Sequence, residues 1–198
     1  MSVAAIVLSA GRSTRMGANT MLADVAGEPL IRRTVRAVAA SQTRPLIVVT
    51  GYQSDKVESA LTGLDATIVH NPRYEQGLAT SLQRGIEALS AAIDGAVVCL
   101  GDMPLVTARL IDALVARFAR QPRPSAVVPA YAGEWGNPVL LSRALFSEIA
   151  MLTGDAGARR LLRGRSDVAV IEADEAVRLD VDTQEELRAL RRVHDAKP

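Results

Sequence analysis

Apolar runs of strand length alternate with stretches of helical period along most of the chain. Val3–Leu8 is one unbroken apolar run, the pattern of a strand covered on both faces. Leu46–Thr50, Thr67–His70 and Ala96–Leu100 predict three more strands. Between them, Leu30–Ala40 sets Ile31, Val35 and Val38 on one helical face, and Val57–Leu61 reads as a short helix. Leu82, Ile86 and Leu89 share a face of another helix, and Leu110, Ile111, Leu114, Val115 and Phe118 make a strongly amphipathic one. This alternation predicts an α/β fold with a mostly parallel sheet, helices on both faces and right-handed crossovers. Ligands of such sheets bind at the carboxyl ends of the strands. The loops after Leu8, Thr50, His70 and Leu100 are therefore expected on one rim.

The rhythm changes after Gln121-Pro-Arg-Pro-Ser125. Ala126–Pro129 and Val139–Leu141 read as strands around a glycine-rich connection, Ala132–Pro138. Short helices are expected near Arg143–Met151 and Asp155–Arg163, then strands at Val168–Glu172 and Val177–Leu179. A last helix begins at Thr183, where Thr183 as N-cap and Glu186 three residues on form a capping box. The 198 residues predict one domain over 1–198. Its first part runs to about residue 122, and its second, about 123–198, covers the substrate side of the same sheet.

Composition removes several classes of function. With 23 Lys+Arg against 22 Asp+Glu, the formal net charge is +1, which argues against a protein that binds nucleic acid by neutralising many phosphates. One cysteine excludes an internal disulfide framework and a multi-cysteine metal site, and the two histidines, His70 and His194, cannot make a histidine-rich one. No stretch reaches the roughly 18 apolar residues of a membrane helix, and the start lacks the basic segment of a signal peptide. A cytoplasmic protein without membrane partners is expected. Only Lys56 and Lys197 are lysines, so the chain's cations are almost all arginines.

Four segments carry candidate chemistry. In Leu8-Ser-Ala-Gly-Arg-Ser-Thr-Arg-Met-Gly17 a buried strand runs into a small-residue loop with two arginines. Its backbone N–H groups, with Arg12 and Arg15, suit an anion nest, although neither a Walker motif nor a dinucleotide fingerprint is present. The same residues also suit a surface turn with solvated arginines. Val97–Val106 delivers Asp102 at the end of an apolar strand, where one carboxylate beside bound phosphates suits Mg²⁺; a turn-stabilising aspartate is the alternative. Leu179-Asp-Val-Asp-Thr183 sets Asp180 and Asp182 on one strand face, each a second ligand or a capping residue. His70–Gln83 offers Asn71 past a strand, Gly77 in a turn, and Thr80 or Ser81 at a helix start; it binds a polar ligand or caps its own helix. His70 reads as a strand-end residue, Trp135 as a loop anchor or stacking platform, and Cys99 as a small core residue. Together the first, second and fourth segments put a phosphate nest, a metal-type carboxylate and a base-contacting loop on one rim, which points to a nucleoside triphosphate.

The ordered set LSAGRSTRMG, NPRYEQGLATSLQRG, GDMPLV, GNPVLL, LTGDAGARRLL and LDVDTQEEL resembles the molybdenum cofactor nucleotidyltransferases, within the nucleotide-diphospho-sugar transferase superfamily. The likeness spans about residues 3–190. GNPVLL, LTGDAGARRLL and Ala10 resemble the cytidylyl branch, where guanylyl enzymes carry glycine at the position of Ala10. The resemblance implies a Rossmann-like three-layer sandwich, Mg²⁺, and transfer of CMP from CTP to a molybdopterin-type cofactor with release of pyrophosphate. It implies that Leu8, Ser9, Ala10, Gly11 and Asn71 contact base and ribose, that Arg12 and Arg15 hold the triphosphate, and that Ser81 lies near the nucleotide. Asp102 would bind Mg²⁺, with Asp182 (or Asp180) as second ligand.

One departure stands out. The family pattern continues RMG-x-x-K-L-L, but here the stretch reads Arg15-Met-Gly-Ala-Asn-Thr-Met-Leu22, with Thr20 in place of the lysine. Losing a cation that neutralises a triphosphate costs roughly 3–4 kcal/mol of transition-state stabilisation. Arginine does not replace lysine without a change of geometry. Three functions follow: an active cytidylyltransferase; an impaired relative that binds nucleotide or cofactor and assists assembly of a molybdoenzyme partner; or a nucleotidyltransferase using GTP or another phosphorylated acceptor.

Overall fold

The computed structural model describes residues 1–12 and 19–195. Strand β1 (Val3–Ser9) is followed by a hairpin of β2 (Asp24–Val25) and β3 (Glu28–Pro29), then α1 (Leu30–Ala39), β4 (Leu46–Thr50), α2 (Ser54–Ala60) and β5 (Thr67–His70). Next come α3 (Leu78–Glu87), β6 (Gly95–Leu100), α4 (Ala108–Ala119), β7 (Ala126–Tyr131), β8 (Glu134–Trp135) and β9 (Val139–Ser142). The chain closes with α5 (Phe146–Ile149), α6 (Arg159–Leu162), β10 (Val168–Glu172) and α7 (Gln184–Asp195).

The main sheet has the order β10-β7-β9-β6-β1-β4-β5, with β8 paired to β7. Pairs β1·β4, β1·β6, β4·β5 and β7·β10 are parallel, and β9 runs antiparallel to both β6 and β7. From β1 the chain builds outward to β4 and β5, then crosses back to place β6 on the other side of β1. The strand order thus reverses between β1 and β6, the position where open α/β sheets bind ligands.

Alternation along β1 divides the core. Val3, Ala5 and Val7 face α1, α2 and α4 through Ile31, Val35, Val57, Ile111, Leu114 and Phe118. Ala4, Ile6 and Leu8 face the opposite layer, built on Ala79 and Leu82 of α3, Ile149 of α5 and Leu162 of α6. Helices therefore cover both faces, and every residue of β1 is buried. This is the α/β three-layer sandwich that the alternating pattern predicts. Among the described residues no helix is long and apolar enough to cross a membrane.

Four elements depart from the sequence expectation. The β2–β3 hairpin has only two residues per strand and turns through Ala26 and Gly27 at φ 52° and 79°, too short to show as alternation. Helix α3 starts at Leu78 instead of Thr80 or Ser81, because Gly77 at φ 102° ends the preceding turn immediately before it. The strand expected at Val177–Leu179 is a 3-10 turn over Glu175–Arg178, since the Asp174 side chain accepts the Ala176 N–H at 3.1 Å and holds the backbone in a turn. Asp180 and Asp182 consequently do not share a strand face. The α6 helix, four residues long, is also shorter than the expected Asp155–Arg163. The predicted capping box is present: Thr183 Oγ1 accepts the Glu186 N–H at 3.2 Å and Glu186 Oε2 accepts the Thr183 N–H at 2.8 Å.

Candidate active site

The rim loops meet as expected. Leu8 pairs with Leu100, Ser9 with Thr50, and Thr50 with His70, so four strands end level with one another. The Gly101 N–H donates to the Leu8 carbonyl at 2.9 Å and seals the reversal point. A Cβ at Gly101 would sit 2.8 Å from Met21 Sδ and 3.1 Å from the Leu8 oxygen, so the close approach requires glycine. Above this junction opens a cleft of about 430 Å³ lined by Ala10, Gly11, Arg12, Ser81, Asp102 and Asp182, among others.

Asp102 stands at its floor. Its Oδ1 is shielded from solvent and has no hydrogen-bond partner. Burial, then the charges of Asp180 and Asp182, push its carboxyl up to about 7. The Val181 N–H donates to the Asp102 carbonyl at 3.0 Å, which fixes the two later aspartates on either side of it. Asp182 is further held by its own N–H, which donates to Glu186 Oε2 at 2.8 Å. It lines the same cleft as Asp102, whereas Asp180 lines a neighbouring pocket of about 250 Å³. An orphaned buried carboxylate oxygen crowded by further carboxylates fits a hard divalent cation. Among the described residues no group of three or more His, Cys, Asp or Glu can hold a metal, so the remaining ligands would be phosphate oxygens and water.

Arg12 lies across the mouth. Its guanidinium is ion-paired with Glu75 and lies 5.7 Å from the ring centroids of both Tyr52 and Tyr74. A hydrogen bond with Tyr74, then the Glu75 charge, hold it above its ordinary pKa. Arg15, the second expected phosphate cation, lies outside the described residues. Thr20 is buried, its Oγ1 lacks a partner, and it does not line the cleft. Its neighbour Asn19 caps the turn through Oδ1, accepting the Met21 N–H at 3.1 Å.

Leu8, Ala10, Gly11, Arg12, Ser81, Asp102 and Asp182 are therefore brought together on one cleft, and two other candidates are not. Ser9 Oγ is buried and donates to the Val49 carbonyl at 2.9 Å, on the strand side. Asn71 is a buried clamp: its amide donates to Thr80 Oγ1 and Ser81 Oγ, both at 3.0 Å, and its oxygen accepts the Arg73 N–H at 3.0 Å. It joins the loop to α3 and so sets the position of Ser81. His70 is an exposed strand end, and Cys99 is a core thiol pushed up to about 12 by burial.

Of the further cleft residues, the sequence pattern marks Gly77 only as a turn and Asp155 only as a helix start, and it gives no sign of Tyr74, Glu75 and Leu78. What the sequence did offer was the pairing of two glycine-bearing motifs. A Cβ on Gly77 would lie 2.3 Å from the Gly154 carbonyl carbon, so the two loops touch backbone to backbone. The Ala79 N–H donates to the Gly154 oxygen at 3.0 Å, and Gln83 Nε2 donates to the carbonyls of Ile149, Ala150 and Leu152. Beside this dock lies a second cleft, also about 430 Å³, which shares Leu8, Leu78, Leu100 and Asp155 with the first.

Residues 5–170 match the model of the MobA-like NTP transferase domain. The chain belongs to that family. It is 30% identical to the purine catabolism protein PucB of Bacillus subtilis (strain 168), over 94% of this chain and 95% of PucB. It is 28% identical to the molybdenum cofactor cytidylyltransferase of Escherichia coli (strain K12), over 91% of each. Rv0371c of Mycobacterium tuberculosis H37Rv superposes with a TM-score of 0.83 at 29% identity, covering 97% of this chain and 99% of that one. Its manganese complex superposes with a TM-score of 0.80. Family membership makes the protein a nucleotidyltransferase of Rossmann-like fold, and its cleft lies at the β1/β6 reversal, the position where open α/β sheets generally bind ligands.

Proposed function

We propose that the protein transfers CMP from CTP to the terminal phosphate of a molybdopterin-type cofactor, with Mg²⁺ bound at Asp102 and Asp182. The observation that carries this reading is Asp102 itself: a buried, partnerless carboxylate oxygen at the strand reversal, in a cleft that Asp182 and Arg12 also line. Ala10 at the rim and the cytidylyltransferase of Escherichia coli among the relatives support cytidine over guanosine. The manganese complex of Rv0371c supports a divalent ion.

In this reading an acceptor phosphate oxygen attacks the α-phosphorus of CTP in line. A P–O bond forms to the acceptor, the bond to the β-phosphate breaks, and pyrophosphate leaves with the electron pair. A dianionic acceptor needs no general base. The bound ion would neutralise phosphate charge as it shifts toward the leaving group. The chain's own part is positioning. Asp102 and Asp182 anchor the ion, Arg12 meets the phosphates, and the Leu8–Gly11 backbone faces the nucleotide. Ser81 is set by the Asn71 clamp.

Titration calorimetry with Mg·CTP, followed by pyrophosphate release with molybdopterin cofactor, tests this. Binding without release over background sinks the transferase reading and keeps the nucleotide site. No heat with any ribonucleotide overturns both.

A second reading, a weakened enzyme that assists a molybdoenzyme, is favoured by buried Thr20 and by Arg12 being held by Glu75. Thr20→Lys separates the two. The active-enzyme reading expects turnover within about threefold of the parent; a gain of two orders of magnitude identifies a disabled site.

A further inference from the structure

Helix α7 is tied to the nucleotide cleft by more than its own cap needs. In a capping box the carboxylate at the third helical position takes one backbone N–H, that of the N-cap residue. Here Glu186 Oε2 takes two, the Thr183 N–H and the Asp182 N–H, both at 2.8 Å. The second bond falls outside the helix, on the residue that lines the cleft beside Asp102. Glu186 is exposed and does not itself line that cleft. One residue earlier, the Val181 N–H donates to the Asp102 carbonyl at 3.0 Å, and Val181 is buried with Val25, Leu30, Leu187 and Leu190. The N–H groups of residues 181–183 are thus all held, and the Asp182 backbone is fixed between a strand end and a helix end.

Both aspartates are referred to the same frame. Thr34 of α1 donates its buried hydroxyl to the Gly101 carbonyl at 3.0 Å, next to Asp102. Helix α7 packs on α1 and β2 through Leu187 and Leu190, and Arg191 Nε donates to the Asp24 carbonyl at 2.9 Å. A small hard cation tolerates little error in the placing of its oxygen ligands, and groups that hold a ligand from behind govern metal affinity. We infer that Glu186 is a positioning residue for divalent-ion binding: from outside the cleft, its carboxylate sets where Asp182 stands relative to Asp102. The inference rests on the metal site proposed above and adds a residue that acts on that site without touching it.

The test uses the full chain with saturating CTP and Mn²⁺, the free ion being counted by electron paramagnetic resonance. Glu186→Ala is expected to weaken Mn²⁺ binding by about tenfold or more, and Glu186→Gln, which keeps an acceptor oxygen, by only about two- to threefold. Thr183→Ala is the control. It removes the hydroxyl that accepts the Glu186 N–H and so weakens the helix cap, but it leaves both N–H bonds to the Glu186 carboxylate. Its Tm should fall while its Mn²⁺ affinity stays within about twofold of the parent. Unchanged Mn²⁺ affinity in Glu186→Ala, or an equal loss in Thr183→Ala, overturns the inference. Where Glu186→Ala does not fold, Glu186→Gln decides: affinity no weaker than that of Thr183→Ala overturns the inference, and a loss confined to Glu186→Gln supports it. A parent that binds CTP but no Mn²⁺ overturns the proposed metal site instead.

Discussion

The two clefts share a wall but are built in different ways. The first is made by strand ends: β1 and β6 stop side by side, β1 buried throughout and β6 buried up to Leu100 at its end. The second is made by irregular chain docked onto that frame. Residues 152–158 lie on the start of α3 through Gly77 and Gly154, and Gly136 lies so close to Val177 that a Cβ there would sit 2.4 Å from its Cγ2. Placement by a sheet tolerates change in the side chains around it. Placement by backbone contact does not. The nucleotide site is thus expected to fail through chemistry and the acceptor side through docking.

The largest expected effect is chemical. Asp102→Ala is expected to lower turnover by about 10³-fold or more, by analogy with loss of another transition-state contact. The fold should stay intact by circular dichroism. The same site gives a stability signal of opposite sign. Because folding raises the Asp102 carboxyl from 3.8 to about 7, the folded chain keeps a proton across that range that the unfolded chain has released. Stability of the metal-free protein therefore declines as pH rises through this window. Asp102→Asn is expected to stabilise the metal-free protein at pH 8 by roughly 1–3 kcal/mol, or about 2–4 °C in Tm per kcal/mol. A destabilised Asp102→Asn protein would remove Asp102 from the set of strained cation ligands.

Gly77→Ala should act through docking. It forces a side chain onto φ 102° and into the Gly154 backbone. Expected is a loss of about 2–4 kcal/mol of stability, measured by urea unfolding, because both strain and a broken contact are involved. The acceptor KM should rise more than the Kd for Mg·CTP. Equal loss of both would mean that the two clefts are held by one structure and the contrast between them is false.

What the sequence made legible follows the same division. Buried parallel strands announce themselves as unbroken apolar runs, so β1, β4, β5 and β6 and the rim they end on were readable, Asp102 included. The later segment is governed by local hydrogen bonds that leave no periodicity. Asp174 turns Val177–Leu179 away from a strand, and Gly77 starts α3 early. Asp180 and Asp182 are equivalent as alternating positions in the sequence; the Asp174 turn before them and the Val181–Asp102 backbone bond between them, neither visible in the pattern, accompany their placement in different pockets. Asn71 and Ser9 were visible as polar residues at strand ends, but sequence does not say which way a side chain turns. Thr20 shows the reverse case, in which a missing lysine was plain in the pattern while its burial was not.

Asn71→Ala sharpens the line between a contact and a clamp. The amide's three hydrogen bonds tie the loop after β5 to α3. Removing them leaves buried hydroxyls and an N–H to rearrange, which is expected to cost roughly 1–3 kcal/mol of stability. Affinity for Mg·CTP should fall only as Ser81 loses its position, by less than about tenfold. A larger fall in affinity at unchanged Tm would make Asn71 a direct nucleotide contact.

Glu75→Gln has the smallest expected effect and probes the one cation the described cleft contains in its lining. Arg12 and Glu75 are both largely exposed, so the pair between them adds little stability and Tm should not move by more than about 1 °C. Affinity is another matter. In the parent, a triphosphate competes with Glu75 for the guanidinium and also meets the carboxylate's repulsion. The neutral amide keeps the shape and the Tyr52 and Tyr74 rings on which Arg12 rests. Binding of Mg·CTP is therefore expected to tighten about two- to fivefold at low salt, with the gain shrinking as ionic strength rises. Tightening that ignores salt would point to a steric effect of Glu75. Weakened binding would mean that the carboxylate holds Arg12 in its working position.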